Sequence, residues 1–62
     1  MNIPNDPIML MSFLNTQLRD NYPSLSELAQ SYGISEDEIL QKMEAIGYKY
    51  DVDKNQMIRS IV

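Results

Sequence analysis

Residues 24–47 read SLSELAQSYGISEDEILQKMEAIG and contain two helix starts in close succession. Ser24 and Glu27 fit the capping box, in which a serine and a glutamate satisfy each other's unpaired backbone donors, and Ser35 and Glu38 repeat it. Gly33 can adopt the left-handed conformation that closes a helix. The spacing therefore predicts one short helix to Tyr32 and a further helix that ends at Gly47.

A third helix is predicted before this stretch. Asp6-Pro7 supplies an N-cap followed by proline at the first helical position, and the helix should run from about Pro7 to Asp20. Its apolar stripe consists of Leu10, Met11, Leu14 and Leu18.

Beyond Gly47 the apolar period changes from helical to alternating, which is typical of a half-buried strand. Tyr48, Tyr50 and Val52 fall on one side of this strand. Residues 53–55 have turn chemistry, and residues 56–61 can return as a second strand. We therefore predict a mainly α, α+β fold in one domain over residues 1–62: a three-helix bundle and a C-terminal β-hairpin. Its second and third helices are helix-turn-helix-like, and the whole is winged-helix-like.

Composition argues against several classes of function. The 62 residues include no His and no Cys, and no serine lies in a nucleophile motif, so we expect no enzyme, no cofactor and no small-molecule substrate. The apolar runs are too short for a membrane span, and there is no signal-peptide pattern. Together with the missing Cys, this predicts a cytoplasmic protein without a membrane partner.

Asp51, Asp53 and Asn55 reproduce the opening spacing of an EF-hand calcium loop. The pattern then fails, because Gln56 replaces the turn-forming glycine and Val62 replaces the bidentate glutamate. We therefore expect a polar hairpin turn and no metal site.

The helix-turn-helix rhythm of residues 25–43 raises the alternative of DNA or RNA binding, in which the last helix would enter the major groove. The exposed face of that helix should carry Asp37, Gln41 and Glu44. With a formal net charge of −4 for the chain, such a face opposes phosphates, so we do not expect nucleic acid as the partner.

Met9 and Phe13 fall well over 90° from the apolar stripe of the first helix and are i, i+4 neighbours. Two interpretations are open. The pair could contact a partner, either another protein or a second copy in a homodimer, or it could be covered by Ile3, the hairpin or the C-terminal Ile61-Val62. The first interpretation predicts a non-enzymatic protein-interaction module.

The opening Asn-Ile-Pro-Asn-Asp-Pro, residues 2–7, resembles the start of a family of short bacterial proteins catalogued as domain-of-unknown-function family 4250. Later residues are similar to that family too, among them Asn15, Tyr22, Tyr50 and Asn55-Gln56. The resemblance implies a bacterial origin and assigns no activity, cofactor or functional residue. A shorter likeness over residues 25–47 is to the amino-terminal domain of bacterial translation initiation factor two, and it implies contact with RNA or the ribosome.

Overall fold

The computed structural model describes residues 3–60 and confirms the predicted order of three helices followed by a hairpin. The helices are α1 (Pro7–Asp20), α2 (Leu25–Tyr32) and α3 (Glu36–Ala45). They are followed by the antiparallel strands β1 (Tyr48–Asp51) and β2 (Gln56–Arg59).

Each helix begins at the side-chain cap that the sequence predicts. A carboxylate oxygen of Asp6 accepts a hydrogen bond from the backbone N–H of Met9 at 3.0 Å. The hydroxyl of Ser24 accepts from the N–H of Glu27 at 3.2 Å. The hydroxyl of Ser35 accepts in the same way from the N–H of Glu38 at 3.4 Å. These bonds satisfy donors that have no partner within the helix, so the three starts are fixed locally.

Glycines follow the ends of α2 and α3. Gly33 has φ 68°, and the N–H of the next residue, Ile34, donates to the carbonyl of Ala29 at 3.0 Å. This reversal lets α3 begin with only three residues, 33–35, between it and the end of α2. α3 ends at Ala45, slightly before the predicted end, and Gly47 with φ 80° directs the chain into β1.

The core lies between the three helices and the inner face of the hairpin. Leu10, Leu14 and Leu18 of α1 are spaced at one turn each and are buried, whereas Met11 from the predicted stripe is half-buried. Within residues 3–60 the nine buried side chains are Leu10, Leu14, Leu18, Leu25, Leu28, Ala29, Ile39, Met43 and Met57.

The hairpin places Tyr48 opposite Arg59 and Tyr50 opposite Met57. β1 ends before Val52, whose side chain is 77% exposed, so the prediction that Val52 shares the buried side of the strand was wrong. The chain turns over residues 52–55, and alternation stops where the turn begins. Asn55, the last turn residue, has φ 54°, a left-handed conformation that Asn tolerates better than most residues.

Asn15 of α1 holds β2 in place. Its Oδ1 accepts from the backbone N–H of Met57 at 2.6 Å, and its Nδ2 donates to the carbonyl of Met57 at 3.2 Å. The side-chain amide therefore pairs with β2 as a neighbouring strand would. Because both backbone groups of Met57 face α1, the outer edge of β2 is closed at this residue.

A second polar connection joins the turn to the end of α1. Nδ2 of Asn55 donates to the carbonyls of Leu18 and Tyr22, at 3.0 and 2.9 Å. Its Oδ1 accepts from the hydroxyl of Tyr50 at 2.5 Å, and that hydroxyl accepts from the N–H of Leu25 at 3.3 Å. Asn55 thus connects the turn to β1 and to the end of α1, and Tyr50 extends the connection to the start of α2.

Candidate interaction surface

The first turn of α1 exposes two large apolar side chains in succession. Ile8 is 55% exposed and Met9 is 62% exposed, so Met9 points away from the core as its helical position predicts. The bond from Met9 N–H to the Asp6 carboxylate fixes the backbone of this turn. We call Ile8 and Met9 the α1 patch.

Phe13 does not join Met9 at the surface to the same extent. It is half-buried and packs against the core, with its ring edge-on to Tyr32 of α2 at a centroid distance of 5.6 Å and an interplanar angle of 65°. Such aromatic pairs contribute roughly 0.5–1.5 kcal/mol beyond their buried area. Tyr32 is not among the covering residues that the sequence predicted, and one predicted cover, Ile61-Val62, lies outside the described residues.

Tyr32 belongs to a small aromatic cluster beside Phe13. The ring of Tyr22 lies 6.0 Å from that of Tyr32, and the Tyr22 hydroxyl shares a 2.7 Å hydrogen bond with the hydroxyl of Ser31. Burial raises the pKa of the Tyr32 phenol, and the neighbouring Tyr22 raises it further. Phe13 thus serves the α1–α2 packing, and the α1 patch consists of Ile8 and Met9.

The solvent face of α3 carries the side chains proposed for nucleic-acid contact. Asp37, Gln41 and Glu44 are all exposed. Lys42, the basic residue of this helix, lies 3.9 Å from Glu38 of the preceding turn. The face therefore presents carboxylates without a free cation from the same helix, which opposes approach to a phosphate backbone.

The oxygen-bearing residues of the hairpin turn are engaged in holding the turn. Oδ1 of Asp51 accepts from the N–H of Lys54 at 3.0 Å, and both polar atoms of the Asn55 amide are bonded as described above. Within residues 3–60 no cluster of three or more His, Cys, Asp or Glu could hold a metal ion.

A shallow groove of about 200 Å³ lies between the N-terminal segment and the start of α3. Leu10, Ile34 and Ile39 contribute apolar lining, and Glu38 and Lys42 contribute charge. Pockets that bury a drug-sized ligand are typically about 300–1,000 Å³. This groove is smaller than that, and we assign no ligand to it.

No helix in the described part of the chain has the length and apolarity needed to cross a membrane.

Comparison with known proteins identifies a family without identifying an activity. No curated protein and no solved structure matches the chain. One family model does match, over residues 4–57, which is most of the sequence. The match includes Asn15, Tyr50 and Asn55, whose side chains join the helices to the hairpin. The chain therefore belongs to the family described as Domain of unknown function (DUF4250).

Proposed function

We propose that this chain is a non-enzymatic protein-interaction module that self-associates through the α1 patch. The observation that carries the proposal is the exposure of Ile8 and Met9, adjacent side chains on a turn whose backbone is fixed by a cap. Exposed apolar groups are unfavourable in water, and burying them against a partner surface lowers the free energy. Met adapts to irregular partner surfaces because its side chain is unbranched and flexible.

A non-catalytic role is supported by the way polar groups are used. Within residues 3–60 no polar or charged side chain is buried, and the chain contains no His or Cys. General acid–base catalysis usually needs a carboxylate or imidazole whose pKa is shifted by a desolvated site. The described carboxylates instead lie at the surface, cap helices or hold the turn.

Light scattering over a wide concentration range tests the proposal with a substitution chosen to leave the monomer folded. Met9 is the third helical residue after the Asp6 cap, a position where glutamate is favourable near the helix N-terminus. Met9→Glu should therefore reduce the rise in mass with concentration, by the share that the α1 patch contributes, without lowering the melting temperature.

Thr16→Glu is the matched control, because Thr16 is exposed on the same helix and the change adds the same charge. It should leave the mass unchanged relative to the native chain. A native protein that stays monomeric, or an equal loss of association in both variants, contradicts the use of the α1 patch.

Nucleic-acid binding is the alternative proposal, and the acidic face of α3 gives it less support. It predicts a mobility shift of mixed DNA or RNA at low salt that disappears as salt rises. A shift that is lost on Gln41→Glu and kept in Met9→Glu would favour it over self-association.

A further inference from the structure

The two outer edges of the hairpin differ. On β2 both backbone groups of Met57 bond to the Asn15 side chain. Since Tyr50 lies opposite Met57 and both Met57 groups point away from β1, the N–H and C=O of Tyr50 must point away from β2. Along an antiparallel pair, residues whose backbone groups bond to the partner strand alternate with residues whose groups point outward. Gly47 is of the first kind, because its carbonyl accepts from Ser60 N–H at 2.7 Å, and so Tyr48 and Tyr50 are of the outward kind. Within residues 3–60, no group bonds to the outward backbone atoms of Tyr48 or Tyr50.

We propose that this edge of β1 pairs, antiparallel, with β1 of a second copy of the chain, with Tyr50 on the two-fold axis. The two Tyr50 residues would exchange N–H···O=C bonds, and two hairpins would form a four-stranded sheet. A two-fold interface uses one patch twice, so the edge must be complementary to itself. This surface is separate from the α1 patch, and either can fail without the other.

The charges on β1 select this register. Lys49 and Asp51 share the face of the strand opposite the core-facing Tyr50. With Tyr50 on the axis, Lys49 lies opposite Asp51 of the second copy. The two-fold axis repeats this contact, so the interface contains two such pairs. These would be non-hydrogen-bonded pairs, in which cross-strand side chains are closest.

The outward N–H and C=O groups of the two strands also face each other when the two-fold axis is moved by one residue in either direction. Both of these registers are unfavourable. A shift one way places Lys49 on the axis opposite its own copy, and a shift the other way places Asp51 opposite itself. Like charges directly opposite each other are destabilising on a sheet. Only the register centred on Tyr50 pairs opposite charges.

Val52 gives independent support. It follows β1 directly and, at 77% exposed, is the most exposed large apolar side chain of the described region. In the proposed register the turn that begins at Val52 lies beside Tyr48 of the second copy, so association would reduce the contact of Val52 with water. Open edges are commonly protected by short strands and charges. Here the edge charges, Lys49 and Asp51, instead attract the Asp51 and Lys49 side chains of a second copy.

Amide hydrogen exchange of the full chain, followed by NMR as concentration rises, tests the pairing directly. The Tyr50 amide should exchange freely in dilute solution and become protected in proportion to the dimer fraction. The Met57 amide is the internal control, because its bond to Asn15 is present in every copy. Tyr50 exchange that does not change with concentration overturns the proposal, even if the protein associates through the α1 patch.

Charge exchange tests the register. Lys49→Asp places like charges opposite each other in its own homodimer, and Asp51→Lys does the same with the other sign. Because Asp51→Lys also removes the bond from the Lys54 N–H, protection of the Met57 amide is measured in each variant to show that the hairpin still forms. Each variant alone should lose the Tyr50 protection. An equimolar mixture of the two should regain it, because every facing pair in the mixed dimer is then of opposite sign. Loss in the single variants without recovery in the mixture overturns the assigned register.

Discussion

The three helices and the hairpin are stabilised by different kinds of contact. In the described part of the chain, the helices provide eight of the nine buried side chains, and the hairpin provides only Met57. The hairpin is instead connected to the helices by hydrogen bonds from side-chain amides to backbone groups, with Asn15 and Asn55 as the principal donors. In a chain of 62 residues, where a single core is small, four-residue strands therefore depend on a few specific polar residues.

Leu14→Ala is expected to have the largest effect, because Leu14 is fully buried in the helical core. Loss of packing and the cavity left behind should lower the free energy of unfolding by about 4 kcal/mol. Urea unfolding followed by circular dichroism measures this. Ser12→Ala, at an exposed position of the same helix, should change the value by less than about 0.5 kcal/mol. A Leu14→Ala loss below about 1 kcal/mol would contradict the described core.

Asn55→Ala tests the connection between the turn and α1, and we expect a loss of about 3 kcal/mol. Two carbonyls and the Tyr50 hydroxyl lose a partner, and alanine is strained at φ 54°. Asn55→Gly removes the same hydrogen bonds without that strain, so it should be less destabilising by about 1 kcal/mol. Equal losses in the two variants in urea unfolding would show that backbone strain contributes little.

Asn15→Ala should cost about 2 kcal/mol, less than Asn55→Ala, because Asn15 pairs with one residue and keeps an ordinary helical backbone. The effect should be local. Exchange of the Met57 amide should accelerate more than that of Leu14, whose bond lies inside α1. If both amides accelerate by the same factor, the hairpin and the helices unfold as one unit. The amide hydrogen bonds would then not stabilise the hairpin separately from the helices.

The same contrast explains how far the sequence could be interpreted. Helix starts, helix ends and the core followed from Asp6, Ser24, Ser35, Gly33 and the leucine spacing, because caps and periodicity are local signals. The roles of Asn15 and Asn55 did not, since their bonds join residues 42 and 37 positions apart and no local pattern marks such a contact. Phe13 illustrates the same limit at the candidate site. Its helical angle follows from its spacing along α1, but whether Tyr32 would reach it depended on how α2 crosses α1.

Arg19→Gln should have the smallest effect, although the Arg19–Asp20 pair has ideal geometry, with two N–H···O bonds at 2.9 and 3.0 Å. Hydrogen bonding from Arg19 lowers the pKa of Asp20. A carboxylate with a lowered pKa in the folded state stabilises above the pKa of the unfolded chain, and this contribution is lost as pH falls through the folded value. Both side chains are largely in water, however, so screening leaves little of it.

NMR titration of Arg19→Gln should therefore show the pKa of Asp20 rising towards its ordinary value while the melting temperature at neutral pH stays unchanged. Asn15→Ala is the comparison, because its bonds join neutral groups that are partly shielded from water. A fall in melting temperature as large as that of Asn15→Ala would mean that charge at the end of α1 matters as much as the amide contacts to β2. Shielding from solvent would then not explain why the Asn15 bonds stabilise the fold more than the Arg19–Asp20 bonds.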